Sequence, residues 1–204
     1  MSSRDKILGK VKANQPEQRE LPELPTGGDG ADLSGTFIAT LESIGGTAFV
    51  VSGYERIATI LHELYPRVGR IISGCPELAA IAETGQRYAD PHSLEDVGLA
   101  ILQAHFGVAE NGACWITEDR MVERALPFIA QHLALIIRRK DIVVNMHMAY
   151  ERIAMMEDPG GFATFIAGPS KTADIEQSLV LGAHGPRSMV VFLLDEEISD
   201  AGFY

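Results

Sequence analysis

The stretch FATFIAGPSKTADIEQSLVLGAHGP, residues 162–186, decides the fold that the sequence predicts. It opens with the apolar run from Phe162 to Ala167, which is long enough for one buried strand and too short for a helix of ordinary length. The run stops at Gly168, a residue that permits close approach of the backbone. We therefore predict a buried strand that leads directly into a polar loop.

The polar loop carries groups that can bind an anion. Ser170 and Thr172 supply hydroxyls, and Lys171 supplies a positive charge. Asp174 has the features of a helix N-cap, and Gln177 three residues later completes a capping-box pattern. The sequence therefore predicts a phosphate or carboxylate cradle at the start of a helix, where free N–H groups and the helix dipole favour negative charge.

Some residues of this region have a second, structural interpretation. Asp174 and Glu176 could orient the donors of the cradle or simply cap the helix. A second turn, residues 182–187, adds His184 and Arg187 as possible ligand-binding residues. A histidine next to glycine can transfer protons near neutral pH, although a lone histidine is more often a hydrogen-bonded structural residue.

The segment GPSKTADIEQSLVLGAHGP, residues 168–186, resembles the signature of the lactate-utilisation protein C family (LutC/YkgG), whose module is the LUD domain. The resemblance extends from about Ser34 to Leu194. It implies a three-layer α/β/α fold with a largely parallel sheet, similar to the NagB/RpiA/CoA-transferase group. It also implies a non-redox component of a cytoplasmic system that oxidises L-lactate to pyruvate together with iron–sulfur partner proteins.

A second segment carries the same resemblance. Residues 96–101 and 105–112 resemble the family's run of Asp-Val-Gly, a strand and an acid-Thr-Gly turn, with Asn111 where threonine is usual. Glu110-Asn111-Gly112 is also similar to the Ser-Glu-Asn-Gly motif of class I CoA-transferases, which implies Glu110 as an acyl acceptor. Asn-Gly between two apolar runs is, however, a strong hairpin signal, and a turn acid is the interpretation of Glu110 that we favour.

The rest of the chain alternates strands with helices, which predicts an α/β fold. A basic helix and a Pro/Gly-rich linker occupy residues 1–33, and a LUD-type domain occupies residues 34–204. Helices are predicted at 37–44, 54–64 and 76–84, with Gly85 as the C-cap of the third, and a further helix is predicted to start at Asp141. Strands are predicted at 48–51, 68–72, 113–116, 133–137 and 188–194.

Composition limits the functional classes. A net charge of −11 argues against a general nucleic-acid binder. The apolar runs are too short to span a bilayer, and the N-terminus lacks the apolar core of a secretory signal, so we expect a cytoplasmic protein. Two cysteines cannot supply the four thiolates of an iron–sulfur cluster, so we expect such clusters only in partner proteins and no metal or cofactor bound by this chain alone.

Three functional hypotheses remain open at this stage. In the first, residues 168–176 and 110–112 converge on one cleft that binds a small organic anion, and the chain serves lactate utilisation beside iron–sulfur proteins. In the second, the chain is an independent CoA-transferase-like or ligase-like enzyme that uses Glu110. In the third, it is a sensing module for lactate or a related acid. The sequence also leaves a homodimer possible.

Overall fold

The structure, a computed structural model, describes residues 2–20, 32–86, 88, 90–156, 161–173 and 179–195. The described helices are α1 (Ser3–Ala13), α2 (Leu33–Ser43), α3 (Tyr54–Leu64), α4 (Leu126–Ile129) and α5 (Met146–Ala154). The described strands are β1 (Thr47–Val51), β2 (Arg70–Ser73), β3 (Glu83–Thr84), β4 (Val97–Gln103), β5 (Phe106–Val108), β6 (Ala113–Thr117), β7 (His132–Arg138), β8 (Ile142–Val143), β9 (Ala163–Ile166), β10 (Lys171–Ala173), β11 (Leu179–Leu181) and β12 (Ser188–Leu194).

Six strands form the central sheet, in the order β1-β12-β7-β4-β2-β3, and each neighbouring pair is parallel. The inner strands β4, β7 and β12 are continuous apolar runs because both faces of the sheet are covered. Leu135 of β7 belongs to the same buried cluster as Phe37 of α2, whereas the next residue, Ile136, belongs to a second cluster with Ile57 of α3. The prediction of an α/β fold with a largely parallel sheet is therefore confirmed.

A second sheet of four strands, β8-β5-β6-β9, lies beyond the central one. Strand β4 ends at Gln103 and β5 begins at Phe106, while β7 ends at Arg138 and β8 begins at Ile142. Because these connections are so short, the second sheet continues from the carboxyl edge of the central sheet. Helix α5 contributes Ala149 to a buried cluster with β5, so this helix covers the second sheet.

Most predicted elements occur where the sequence places them. The predicted strands at 48–51, 68–72, 113–116, 133–137 and 188–194 overlap β1, β2, β6, β7 and β12. The predicted helices at 37–44 and 54–64 overlap α2 and α3. The apolar run that opens the deciding stretch is β9, although it pairs antiparallel with β6 in the second sheet.

Two predicted helices are wrong in their bounds or existence. The helical part of residues 76–84 is limited to a short 3-10 turn, Pro76–Leu78, because Glu83 and Thr84 pair with the end of β2 as a parallel edge strand. Gly85 has φ of 71°, yet it follows this strand and caps no helix. Asp141 starts no helix, because β8 follows it and Asn145 caps α5 by accepting a hydrogen bond from the Met148 N–H.

The polar loop of the deciding stretch also differs from its prediction. Lys171–Ala173 and Leu179–Leu181 form the antiparallel pair β10 and β11, so the chain folds back as two paired strands where we predicted a loop and a helix. The predicted N-cap, Asp174, lies outside the described residues, as do Glu176 and Gln177.

The N-terminal part of the predicted two-part organisation is a helix, α1, that buries none of its residues. Its start is capped by Ser2 and Asp5, whose side chains and backbone N–H groups bond each other reciprocally. Residues 21–31 of the predicted linker lie outside the described residues, and the division at residue 33 stays a prediction. Among the described helices, none is both long and apolar enough to cross a membrane.

Candidate functional site

The carboxyl edge of the central sheet carries a cluster of charged and polar side chains. Ligands of open, mostly parallel α/β sheets bind in the crevice outside this edge. The cluster combines the last residue of β6, side chains from the segments that follow β4, β6 and β7, and one side chain from α5. Its members are His105, Thr117, Asp119, Arg120, Asp141 and Arg152. We refer to these six residues as the edge cluster.

Arg120 is the least well paired cation of the edge cluster. Its guanidinium is partly buried, and it donates one long hydrogen bond, from Nη1 to the Ala104 carbonyl at 3.4 Å. No ion pair joins Arg120 to any residue that the structure describes. Burial lowers the pKa of Arg120, and the nearby guanidinium of Arg138 lowers it further, while Asp119 and Asp141 act in the opposite direction. Most N–H donors of Arg120 therefore have no acceptor among the described residues and are available to an anion.

His105, Thr117 and Asp119 form a chain of hydrogen bonds. The Thr117 hydroxyl donates to Oδ1 of Asp119 and lies 2.6 Å from Nε2 of His105. Thr117 is 1 % exposed, so its hydroxyl must find its partners inside the protein. Burial lowers the pKa of His105 to about 4, and the charge of Arg120 contributes in the same direction. The imidazole is therefore neutral at pH 7.

Asp141 and Arg152 attach α5 to the edge cluster. Nη2 of Arg152 bonds Oδ1 of Asp141, and the guanidinium also lies over the ring of Phe106, 5.0 Å from its centroid. This ion pair joins the 3-10 turn after β7 to the last turn of α5. Arg152 is thus satisfied within the protein, in contrast to Arg120.

Backbone strain marks the same edge. Val122, two residues after Arg120, has φ of 65°, a conformation that a β-branched residue rarely adopts. It lies against Gly74, because a Cβ built on Gly74 would be 3.5 Å from the Val122 side chain and 3.5 Å from the Arg120 carbonyl oxygen. The segment that carries Arg120 is therefore held closely over the end of β2.

A depression of about 410 Å³ opens near the ends of β7 and β12, lined by residues that include Arg139, Ser34 and Asp195. Arg139 donates to the Ser34 hydroxyl at 3.1 Å and to the Asp195 carboxylate at 3.2 Å. Because the charge of Arg139 is already paired with Asp195, this depression is a weaker anion site than the surroundings of Arg120.

Glu110, the predicted acyl acceptor, has a structural contact. It lies in the turn between β5 and β6, and its Oε2 accepts a hydrogen bond of 2.9 Å from the N–H of Met146, the first residue of α5. The hairpin interpretation of this segment is confirmed by the antiparallel pairing of β5 with β6. The carboxylate helps to cap α5, and its role as an acyl acceptor stays a prediction.

The two residues after Glu110 shape the turn. Oδ1 of Asn111 accepts a hydrogen bond from the Ala113 N–H at 3.1 Å. Gly112 has φ of 67°, and a Cβ there would lie only 2.9 Å from Cα of Leu41. The turn therefore needs glycine at this position because α2 passes directly over it.

The second group of predicted ligand-binding residues begins at Gly168, which lies beside the same helix, α2. Gly168 has φ of 71°, and a Cβ there would be 3.1 Å from the Ile44 carbonyl oxygen at the end of α2. The Lys171 ammonium approaches Gly45, just beyond the C-terminus of α2, where exposed carbonyls favour a cation. Lys171 is exposed and Thr172 is partly buried, and both belong to β10.

Ser170 joins the two glycine-containing turns of the deciding stretch. Its N–H donates to the Pro186 carbonyl at 2.9 Å, and its carbonyl accepts from the Gly182 N–H at 3.0 Å. His184 and Arg187 belong to the second turn and are exposed. The turns at 168–170 and 182–187 therefore close the base of the β10–β11 pair.

The structure brings the two predicted groups to one end of the second sheet. Cys114 of β6 pairs with Ile166 of β9, so Gly112 and Gly168 lie two residues beyond this pair on the same side. Both glycines pack against the C-terminal half of α2. The edge cluster lies at the other end of β6. With a rise of about 3.3 Å per residue, the four steps from Ala113 to Thr117 separate the two ends by about 13 Å. The predicted groups thus converge on each other and not on Arg120.

Sequence reasoning selected no member of the edge cluster. A lone histidine after a strand and an arginine in a polar segment are weak signals by themselves. The available signal was the sequence Thr-Glu-Asp-Arg at 117–120, where a hydroxyl, two acids and a base follow the apolar run of a buried strand. The cysteines behave as expected for structural residues: both are buried, and burial raises the pKa of Cys75 to about 11 and that of Cys114 further.

Several known proteins are similar to this chain in sequence. The family model described as LUD domain matches residues 35–194. Lactate utilization protein C of Bacillus pumilus is 31% identical over 107 residues, which cover 50% of this chain and 45% of that protein. Lactate utilization protein C of Geobacillus thermodenitrificans is 25% identical over 169 residues, covering 76% and 66%. The uncharacterized protein YkgG of Escherichia coli is 26% identical over 106 residues, covering 50% and 46%.

The chain spans about half the length of most of the curated relatives it matches. Among solved structures, the crystal structure of a DUF162 family protein from Deinococcus radiodurans matches with a TM-score of 0.61 at 17% identity. That match covers 79% of this chain and 96% of the other. At this level of identity the likeness concerns the fold alone.

Proposed function

The chain belongs to the LUD domain family, and from this premise we propose that it is a non-redox component of a lactate-utilisation system that binds a small organic anion at the edge cluster. The names of its curated relatives support the lactate part of this proposal. Its two cysteines, both buried, are too few for an iron–sulfur cluster. Electron transfer would therefore fall to iron–sulfur partner proteins.

Arg120 is the observation that carries the anion-binding part. A partly buried guanidinium has five N–H donors, and the described residues take up only one of them, at 3.4 Å. Arg138 is a second cation near Arg120, while the carboxylates of Asp119 and Asp141 act on the pKa of Arg120 in the opposite direction. A planar carboxylate can accept two parallel hydrogen bonds from one guanidinium. A small carboxylic acid is therefore the ligand that this position fits best.

Thermal unfolding with and without L-lactate tests the anion site. A ligand that binds only the folded state raises its stability by RT ln(1 + [L]/Kd), so the melting temperature of the unchanged protein should rise with lactate concentration. Arg120→Ala should abolish this rise. Arg56→Ala removes the same charge from an exposed position on α3 and should leave the rise intact.

Two results would contradict the assignment of the anion to Arg120. One is a full lactate-dependent rise in Arg120→Ala. The other is loss of the rise in the double variant Ser170→Ala/Lys171→Ala, with Arg120→Ala unaffected, which would place the anion in the turn beside Gly168 instead. The same melts therefore compare the two candidate locations directly.

A further inference from the structure

The direction of the hydrogen bonds at Thr117 determines which nitrogen of His105 carries a proton. A threonine hydroxyl has one hydrogen, and here it points to the Asp119 carboxylate, which can only accept. The Thr117 oxygen can therefore only accept from Nε2 of His105, 2.6 Å away. This arrangement fixes the neutral imidazole with its proton on Nε2.

The other ring nitrogen, Nδ1, is consequently a hydrogen-bond acceptor. Among the residues that the structure describes, none donates a hydrogen bond to it. The imidazole is partly buried and stays neutral because burial lowers its pKa to about 4. The charged groups around it, Arg120, Asp119, Arg152 and Asp141, do not reverse this shift. An accessible acceptor without a protein partner can accept a hydrogen bond from a ligand.

His105 and Arg120 lie side by side. The Arg120 guanidinium donates to the carbonyl of Ala104, the residue that immediately precedes His105. The charge of Arg120 also acts on the imidazole. A small ligand whose carboxylate binds Arg120 therefore lies next to the residue that carries the imidazole.

We propose that the edge cluster selects 2-hydroxy acids over the corresponding 2-oxo acids. The carboxylate binds Arg120, and the 2-hydroxyl donates its hydrogen to Nδ1 of His105. A 2-oxo acid offers only a carbonyl oxygen at this place, so two acceptors face each other and neither is satisfied. Sites built to hydrogen-bond a hydroxyl discriminate strongly against analogues that lack it. Thr117 and Asp119 act as positioning residues, since they hold the proton on Nε2.

This inference rests on the proposed function and adds its chemical specificity. The chain would bind the substrate of lactate oxidation and release the product. No electron transfer is required of its own residues. Such a preference suits a component that presents the hydroxy acid to a redox partner or reports its presence.

Isothermal titration calorimetry at pH 7 with L-lactate, pyruvate and propionate tests the preference. The unchanged protein should bind lactate at least about tenfold more tightly than pyruvate, because only lactate can donate a hydrogen bond to Nδ1 of His105. Propionate, which also lacks the 2-hydroxyl, should bind about as weakly as pyruvate. In His105→Ala the lactate-to-pyruvate ratio should fall to about one while pyruvate affinity is kept. His62→Ala, an exposed histidine on α3, should behave as the unchanged protein.

Thr117→Val is the second variant, because it keeps the shape of the buried side chain and frees the histidine to place its proton on Nδ1. It should lose most of the discrimination while retaining binding. Equal affinity for lactate and pyruvate in the unchanged protein, or a ratio that survives in His105→Ala and Thr117→Val, would overturn the inference alone. Absence of binding by all three acids would instead overturn the proposed function, and the inference with it.

Discussion

Arg120 illustrates what partial burial demands of a cation. Removing a guanidinium from water costs free energy unless new acceptors replace the lost hydration. Arg70 finds them within the chain, from Glu83 at 2.8 Å and Asp96 at 2.9 Å, and the hydrogen bond to Glu83 raises its pKa. The pKa of Arg120 is lowered because burial dominates. The contrast between these two arginines supports the proposal that Arg120 binds a ligand.

His105 makes a prediction about stability at acidic pH. Its pKa is about 4 in the folded protein and 6.5 for an unperturbed histidine, so the unfolded chain takes up this proton first as the pH falls. The contribution of His105 is therefore present above pH 6.5 and is lost as the pH falls toward 4. Melting temperatures measured from pH 7 to pH 4 should decline less steeply in His105→Ala than in the unchanged protein.

His62→Ala is the control for this pH series, because His62 is exposed on α3. Its melting curve should decline in parallel with that of the unchanged protein. An equally steep decline in His105→Ala and His62→Ala would mean that His105 is not held neutral in the folded state, and the hydrogen-bond chain through Thr117 would lose its basis.

At the scale of the element, α5 is the component that ties the edge cluster to the predicted turn. Its first N–H bonds Glu110, its N-cap Asn145 bonds Met148, and Arg152 in its last turn pairs with Asp141. Both ends of this nine-residue helix are therefore fixed by residues of other segments. Helices this short are marginal alone, so these contacts decide whether α5 forms.

Glu110→Ala should reduce the free energy of unfolding by about 1 kcal/mol, the usual cost of losing a helix-capping acceptor. Chemical denaturation monitored by circular dichroism measures this difference. Glu151→Ala, which removes the same charge from an exposed position of α5, serves as the control and should change stability far less. Lactate-dependent stabilisation should persist in Glu110→Ala. Its loss, without loss of stability, would favour a ligand role for Glu110.

The elements also indicate which parts of the fold a sequence can predict. The inner strands β7 and β12 were predictable because burial on both faces leaves an unbroken apolar run, whereas β4 was expected only from the family resemblance of residues 96–101. Residues 76–84 were mistaken for a helix because their apolar spacing is ambiguous, and pairing of β3 with β2 overrides it. The sequence predicts a loop at 171–173 because the partner of this strand, Leu179–Leu181, is recognisable only from the pairing itself.

At the scale of the whole molecule, the edge cluster joins residues that are up to 47 positions apart in the chain, from His105 to Arg152. Such a site was beyond the reach of sequence spacing, since it exists only because β4, β7 and the second sheet meet at one edge. Glu110 and Gly168 were predicted as one site, and they do lie at one end of the second sheet. A ligand-binding role for either residue stays a prediction.

The charge distribution of the whole molecule suggests how a partner could be recognised. The chain carries a net charge of −11, but α1 combines four basic residues near the N-terminus, Arg4, Lys6, Lys10 and Lys12, with a single acid, Asp5. Its apolar residues Ile7, Leu8 and Val11 are 50–62% exposed. A basic helix with exposed apolar side chains is suited to a partner's acidic face.

The most direct test of the central claim is an anaerobic affinity purification of the tagged chain from lactate-grown cells, with iron and protein composition measured in the eluate. We predict that iron–sulfur proteins co-purify, that the eluate reduces a dye when lactate is added, and that deletion of residues 2–14 weakens the association. An iron-free eluate that contains only this chain would contradict its proposed role as a component of a lactate-oxidising system.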